Sequence, residues 1–150
     1  MADEATIRAS LTIRKLSSDG TIVVLDHQSR PSAFTVDVTG AKGPSPGAVT
    51  ARTTGTVVSF GELTIPSLCT IKSLDDDEGN YVEYGIYDLQ TDVFYPLGEV
   101  GPGESYVLKL SRNLLEEFTG TGTGTTGATN QFMVKSFNAN ADVSIEAFEK

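Results

Sequence analysis

Apolar and polar residues alternate along most of this chain, and each run of alternation is short. Ala5 to Leu16 sets the pattern, with Ile7, Ala9, Leu11 and Ile13 on one face and Arg8, Ser10, Thr12 and Arg14 on the other. A period of two marks a half-buried strand, because successive side chains of a strand point to opposite sides. Ser17-Ser18-Asp19-Gly20 supplies turn chemistry and Thr21 to Leu25 returns as TIVVL, which predicts a hairpin. After His27 to Pro31 a third alternating run puts Phe34, Val36 and Val38 inward and Thr35 and Asp37 outward.

From Gly40 to Gly47 (GAKGPSPG) the periodicity stops, and the glycines and prolines predict a loop, a long one if Ala48 to Thr54 belongs to it. Thr56 to Phe60 is a short β run that ends at Gly61. Pro66 has no N–H to give a ladder, so it marks an edge or a strand start. Leu68 to Leu110 then runs as strand, acidic turn, strand, short ribbon, Gly-Pro-Gly turn and strand. Val82, Tyr84 and Ile86 are predicted inward there, as are Tyr106, Leu108 and Leu110. Arg112 to Phe118 (RNLLEEF) is the single helical pattern. Thr119 to Asn130 is a Gly/Thr segment that cannot bury a face and is predicted as a mobile loop. Gln131 to Phe137 and Ala141 to Phe148, joined by Asn138-Ala139-Asn140, are spaced as a terminal hairpin.

Roughly eight or nine short strands with almost no helix predict an all-β fold, a two-sheet sandwich of jelly-roll or Greek-key type. At 150 residues the chain is expected to be one β-sandwich domain over 1–150, with 1–6 a flexible N-terminal segment and 119–130 the Gly/Thr-rich loop. Twenty acidic residues against eleven basic ones leave a net charge of −9, with no cluster of Lys and Arg to take up phosphates. Nucleic acid is therefore not an expected partner. The opening MADEATIR has neither a basic nor an apolar signal region, and no run approaches the ~18 apolar residues of a membrane helix. A soluble protein made in a cytoplasm, without a membrane partner, is expected.

Candidate chemistry is sparse. Asp75, Asp76, Asp77 and Glu78 put four carboxylates into one turn, a calcium candidate on ligand type alone, since Ca²⁺ takes several oxygens from a flexible loop. The EF-hand spacing is absent, and acids in an Asp/Gly/Asn turn are ordinarily solvated. Gly122, Gly124 and Gly127 match GxGxxG, but the strand before and the helix after that a dinucleotide needs are not there in the pattern. Any triad would have to use His27, the one histidine, and any thiol chemistry Cys69, the one cysteine. Cys69 sits in an apolar strand pattern and reads as a buried small hydrophobe. Tyr81, Tyr84, Tyr87, Phe94 and Tyr95 form an aromatic cluster, assigned to core or subunit contact ahead of a sugar-stacking platform. No catalytic residue, cofactor or enzymatic activity is predicted.

One stretch carries a resemblance. Gly61-Glu62, Ile65-Pro66, Ile71-Lys72-Ser73-Leu74-Asp75, Asn80-Tyr81-Val82-Glu83-Tyr84-Gly85, Gly101-Pro102-Gly103-Glu104 and the late Val143-Ser144-Ile145-Glu146-Ala147 succeed one another in the order seen in small tailed-phage virion proteins. From Gly55 to Leu110 the chain resembles that family. Its acidic turn is more charged than the family's usual DATN-like turn, and the Gly/Thr segment looks like an insertion. Members sit on the particle as head decoration (cement) proteins or as tail-associated components, and no catalytic residues come with the likeness. The resemblance implies a structural virion protein on the capsid surface, assembled in the host cytoplasm as a homotrimer with the major capsid protein as partner. The first six residues, the Gly40–Gly47 loop and the Gly/Thr loop are the expected contact regions. A tail or baseplate accessory, or a carbohydrate-binding module using Tyr81, Tyr87 or Tyr95, are the alternatives.

Overall fold

A computed structural model describes residues 3–28, 32–38, 44–61, 63, 66–110 and 130–149. The chain divides into two compact units, Met1–Asp37 and Val38–Lys150. Every element among the described residues is a strand.

In the first unit β1 (Asp3–Ala9) pairs with β4 (Ser32–Val38), and β2 (Thr12–Leu16) pairs antiparallel with β3 (Ile22–Gln28). The single strand expected over Ala5 to Leu16 is thus two strands, parted at Ser10-Leu11 because each pairs with a different neighbour. Residues expected as a flexible lead contribute Asp3–Thr6 to β1. The Ser17–Gly20 turn forms as its chemistry predicts. Gly20 takes φ +81°, which a side chain would strain, and Thr21 N–H donates to Asp19 Oδ1 at 3.0 Å. The Ser17 hydroxyl, then that backbone N–H, holds the Asp19 carboxyl down at about 2. What the alternation did not predict is exposure. Leu11 and Ile13 of the expected inward face are 56% and 46% exposed, and Leu16 and Ile22, outside that face, are 56% and 52% exposed.

The second unit contains β5 (Ser45–Ala51), β6 (Thr56–Val57), β7 (Pro66–Ser73), β8 (Val82–Asp88), β9 (Val93–Val100), β10 (Ser105–Lys109), β11 (Asn130–Ser136) and β12 (Ala141–Glu149). They form two four-stranded sheets, ordered β10-β7-β12-β5 and β6-β11-β8-β9, with antiparallel pairing throughout the registered ladders. The pairing is nested, β5 with β12, β6 with β11, β7 with β10 and β8 with β9. Cys69 and Ile71 of β7, Val143 and Ile145 of β12, Val82 of β8, Val100 of β9, and Phe132 and Val134 of β11 meet in one cluster. Both sheets therefore bury their inner faces against each other, and the all-β two-sheet sandwich is confirmed. Strand β12 shows the alternation most cleanly: Ala141, Val143, Ile145 and Ala147 are buried, Asp142 and Glu146 exposed.

Three expectations change. Part of the predicted loop is strand: Ser45–Ala51 forms β5 despite Pro46 and Gly47. It is the edge of its sheet, paired with β12 alone, and an edge tolerates a residue without a ladder donor. The terminal hairpin does not exist, because β11 belongs to one sheet and β12 to the other; the link between them crosses the sandwich. Tyr106 lies opposite buried Ile71, on the inner face as predicted, yet it is 42% exposed because β10 is an edge strand, while Leu108 and Leu110 pack against the core. Pro66 opens β7, as its missing donor required. The helical pattern at Arg112–Phe118 and all of the Gly/Thr segment before Asn130 lie outside the described residues, as do residues 40–43 of the predicted loop.

Candidate functional site

The acidic turn holds a corner of the sandwich through Asn80. Asn80 is 2% exposed. Its Nδ2 donates to Asp75 Oδ2 at 2.8 Å and to the Ala139 carbonyl at 3.1 Å. Its Oδ1 accepts from Ser136 Oγ at 2.9 Å, from Asn138 N–H at 3.1 Å and from Ala139 N–H at 3.3 Å. The Asn138 side chain in turn donates to the Gly79 carbonyl, and Ser136 Oγ also lies against the Ala139 carbonyl. One buried amide thus ties the turn before β8 to the link between β11 and β12. Buried polar groups persist where every donor and acceptor is met, as here.

Asp75 accepts from Asn80 and from the Asp77 N–H, and the Asn80 hydrogen bond lowers its pKa. Asp77 Oδ1 accepts from Gly79 N–H at 3.1 Å, while Asp76 and Glu78 are exposed. Among the described residues no three His, Cys, Asp or Glu side chains gather as metal ligands. Within the calcium candidate, Asp75 and Asp77 accept from N–H groups of the turn itself.

The Gly-Pro-Gly turn is built on similar lines. Gly101 N–H donates to Glu104 Oε2 at 2.8 Å, Glu104 N–H to the Gly101 carbonyl at 3.0 Å, and the Glu104 carbonyl accepts from Ser73 N–H at 3.0 Å. Ser73 Oγ accepts from Asp75 N–H at 3.3 Å. Short motifs far apart in sequence, those containing Asp75, Asn80 and Glu104, therefore connect through β7 into one hydrogen-bonded end of the sandwich.

The aromatic cluster separates into pieces. Tyr81 stacks on Phe137, ring centroids 4.6 Å apart and planes 16° from parallel, with Phe137 60% exposed. Tyr87 lies across from Phe94, and its hydroxyl donates to Asp92, which raises the phenol's pKa. Tyr81 and Tyr87 are six residues apart, about 20 Å along a strand. Tyr95 is opposite Ile86, so alternation puts it on the other face from Tyr87. The three tyrosines named as a sugar platform share no single surface. Tyr84 is half-buried and packs on the core.

A pairing that sequence reasoning missed lies beside the Tyr81 stack. Glu83 of β8 and Glu99 of β9 are direct cross-strand partners, in an open hollow of roughly 280 Å³ lined also by Pro96, Leu97 and Gly98. Register makes the pair: a bulge between Tyr84 and Gly85 leaves Leu97 unmatched and shifts β9 by one residue. Burial first, and then the charges of Glu83 and Glu99, raise the Tyr81 phenol's pKa. Nothing in the spacing of two glutamates sixteen positions apart signals this juxtaposition.

Cys69 is fully buried in the core, and burial pushes its thiol from an ordinary 9.0 up to about 12. The neutral thiol is thus the folded form, a contribution complete below pH 9.0 and lost as pH climbs from there toward 12. We expect no reaction with a thiol reagent at about pH 8 in the native state and one equivalent on unfolding; fast native labelling would contradict this burial. His27 lies in β3 across from Ile13, in the other unit. The GxGxxG glycines lie outside the described residues.

No protein-family description, no curated protein and no solved structure matches this chain.

Proposed function

We propose that this protein is a structural virion component, a head decoration protein that binds the outside of a tailed-phage capsid and bridges its subunits. The major capsid protein is its partner in this reading, and a homotrimer its working form. The observation that carries the proposal is the division of labour in the chain. The second unit buries its own core and closes its polar end by internal hydrogen bonds, while the first presents aliphatic side chains at Leu11, Ile13, Leu16 and Ile22 to solvent. Exposed apolar rows of that kind mark surfaces for another protein. The nested order of the eight strands, which we read as a jelly roll, gives a stiff scaffold on which to carry such a surface. The Asp75–Asn80 and Gly101–Glu104 turns, two of the motifs in which the chain resembles phage virion proteins, meet at one end of that scaffold.

The test is co-sedimentation of the purified chain with expanded heads of its own phage. Saturable binding is expected, and replacing Ile13 by Asp is expected to weaken it at least about ten-fold with the unfolding midpoint of the second unit unchanged. Failure to bind heads, with the protein found in tail fractions, would move it to the tail. The stacked and exposed Phe137 on Tyr81 favours a second reading, a sugar-binding module. Glycan-array binding that disappears on Phe137→Ala would select it.

A further inference from the structure

Among the described residues, the strands of the first unit are matched only in twos, β1 with β4 and β2 with β3. A two-stranded ribbon is marginal in water and is stabilised by a surface laid against it. On β2 the side chains alternate, so Arg14 and Leu16 share one face and Ile13 and Lys15 the other, all four exposed. The first unit therefore presents cations set among aliphatic side chains.

The second unit presents the complement. It holds seven basic and fifteen acidic residues. On β9 the exposed Pro96 and Leu97 line the open hollow beside Glu99, which faces Glu83 there. Like charges directly across a ladder are unfavourable. Lys135 lies on the far side of Glu83 in register and gives the row one cation for two carboxylates. One negative charge is left over beside apolar side chains. Strand addition at this edge is hindered, because Pro96 lacks a donor and the bulge at Leu97 breaks the ladder. Recognition here runs through side chains.

We propose that the β2–β3 ribbon of one chain docks on the β8–β9 hollow of a second copy, with Arg14 entering between Glu83 and Glu99 and Leu16 covering Leu97. A guanidinium fork suits two carboxylates, and the desolvated apolar rim strengthens the pairing. The two surfaces differ, so the contact is heterologous and closes into a ring when the rotation allows. It rests on the chain's own surfaces and stands whether or not the protein decorates a capsid.

Sedimentation velocity on the full chain tests it. Wild type is expected to self-associate at low salt, and Arg14→Glu to raise the dissociation constant at least about ten-fold. Lys15→Glu makes the same charge change on the opposite face of β2 and is expected to leave the constant within about three-fold. Combining Arg14→Glu with Glu99→Arg restores the attraction in reverse and is expected to recover association. A wild-type chain that stays monomeric at about 100 µM overturns the proposal. So do equal effects from Arg14→Glu and Lys15→Glu, or a double variant that remains dissociated. Should Arg14→Glu fail to fold, Arg14→Gln and a salt series from about 50 to about 500 mM carry the same comparison. Association that salt does not weaken then counts against the contact.

Discussion

Replacing Asn80 by Ala is expected to lower the unfolding free energy by about 4 kcal/mol, the largest effect of any polar residue among the described residues of the second unit. The amide makes five side-chain hydrogen bonds from a position 2% exposed. Truncation strips the buried Ser136 hydroxyl of one partner and leaves the backbone N–H groups of Asn138 and Ala139 without their acceptor. Each unsatisfied buried group costs about 1–3 kcal/mol, and the vacated volume adds to that. Urea unfolding followed by circular dichroism measures the loss from the midpoint at constant slope. Asn80→Asp sharpens the test. It keeps an acceptor, removes both donors, and sets a second carboxylate against Asp75, so it is expected to cost a similar amount at neutral pH. Protonating the new carboxyl restores one donor, and the variant is therefore expected to regain stability as pH falls. A cost below about 1 kcal/mol for Asn80→Ala would mean that the corner is held by its strands and not by the amide.

The same corner shows where the sequence stops being informative. Period-two alternation exposes β12 at a glance, because every second residue from Ala141 to Ala147 is apolar and buried. Pro66 and the Ser17–Gly20 turn are legible for an equally local reason, a missing donor in one and a glycine at positive φ in the other. The link between β11 and β12 is short enough for a hairpin, yet it crosses between sheets. Its partner is Asn80, 58 residues upstream of Asn138 in the chain, and no local pattern reports a contact at that separation. The internal bonding of the acidic turn is hidden for the same reason. Composition displays the carboxylates of Asp75 and Asp77, but not the N–H groups they accept from. Strand β5 was hidden by Pro46 and Gly47, which signal a loop until one knows that the strand is an edge.

A single bulge hides the candidate contact surface in a different way. From Val100 back to Gly98 the inward residues of β9 are the even-numbered ones; beyond Leu97 the partner of inward Ile86 is Tyr95. Alternation read straight through Val93–Val100 therefore assigns half the strand to the wrong face. Glu83 and Glu99 become neighbours only once that register is known.

Gly85 is the residue on which this register turns, and Gly85→Ala is expected to cost about 3 kcal/mol. A Cβ there would run into the Tyr95 carbonyl oxygen and come within 2.9 Å of Pro96 Cα. Both obstacles are backbone of β9, so relief requires the strand itself to move rather than a side chain to swing. Gly98 provides the contrast. A Cβ at that position meets the hydroxyl end of Tyr84, a side chain that can rotate away, and Gly98→Ala is expected to cost only about 1 kcal/mol. Thermal unfolding of the two variants side by side checks the difference; equal costs would show that β9 yields as readily as a tyrosine tip. The displacement has a second consequence, because Pro96, Leu97 and Glu99 line the hollow that Glu83 faces. A chain carrying Gly85→Ala that remains folded is expected to lose self-association along with stability, since shifting β9 parts Glu99 from Glu83. Gly98→Ala, which leaves the strand in place, is expected to retain it.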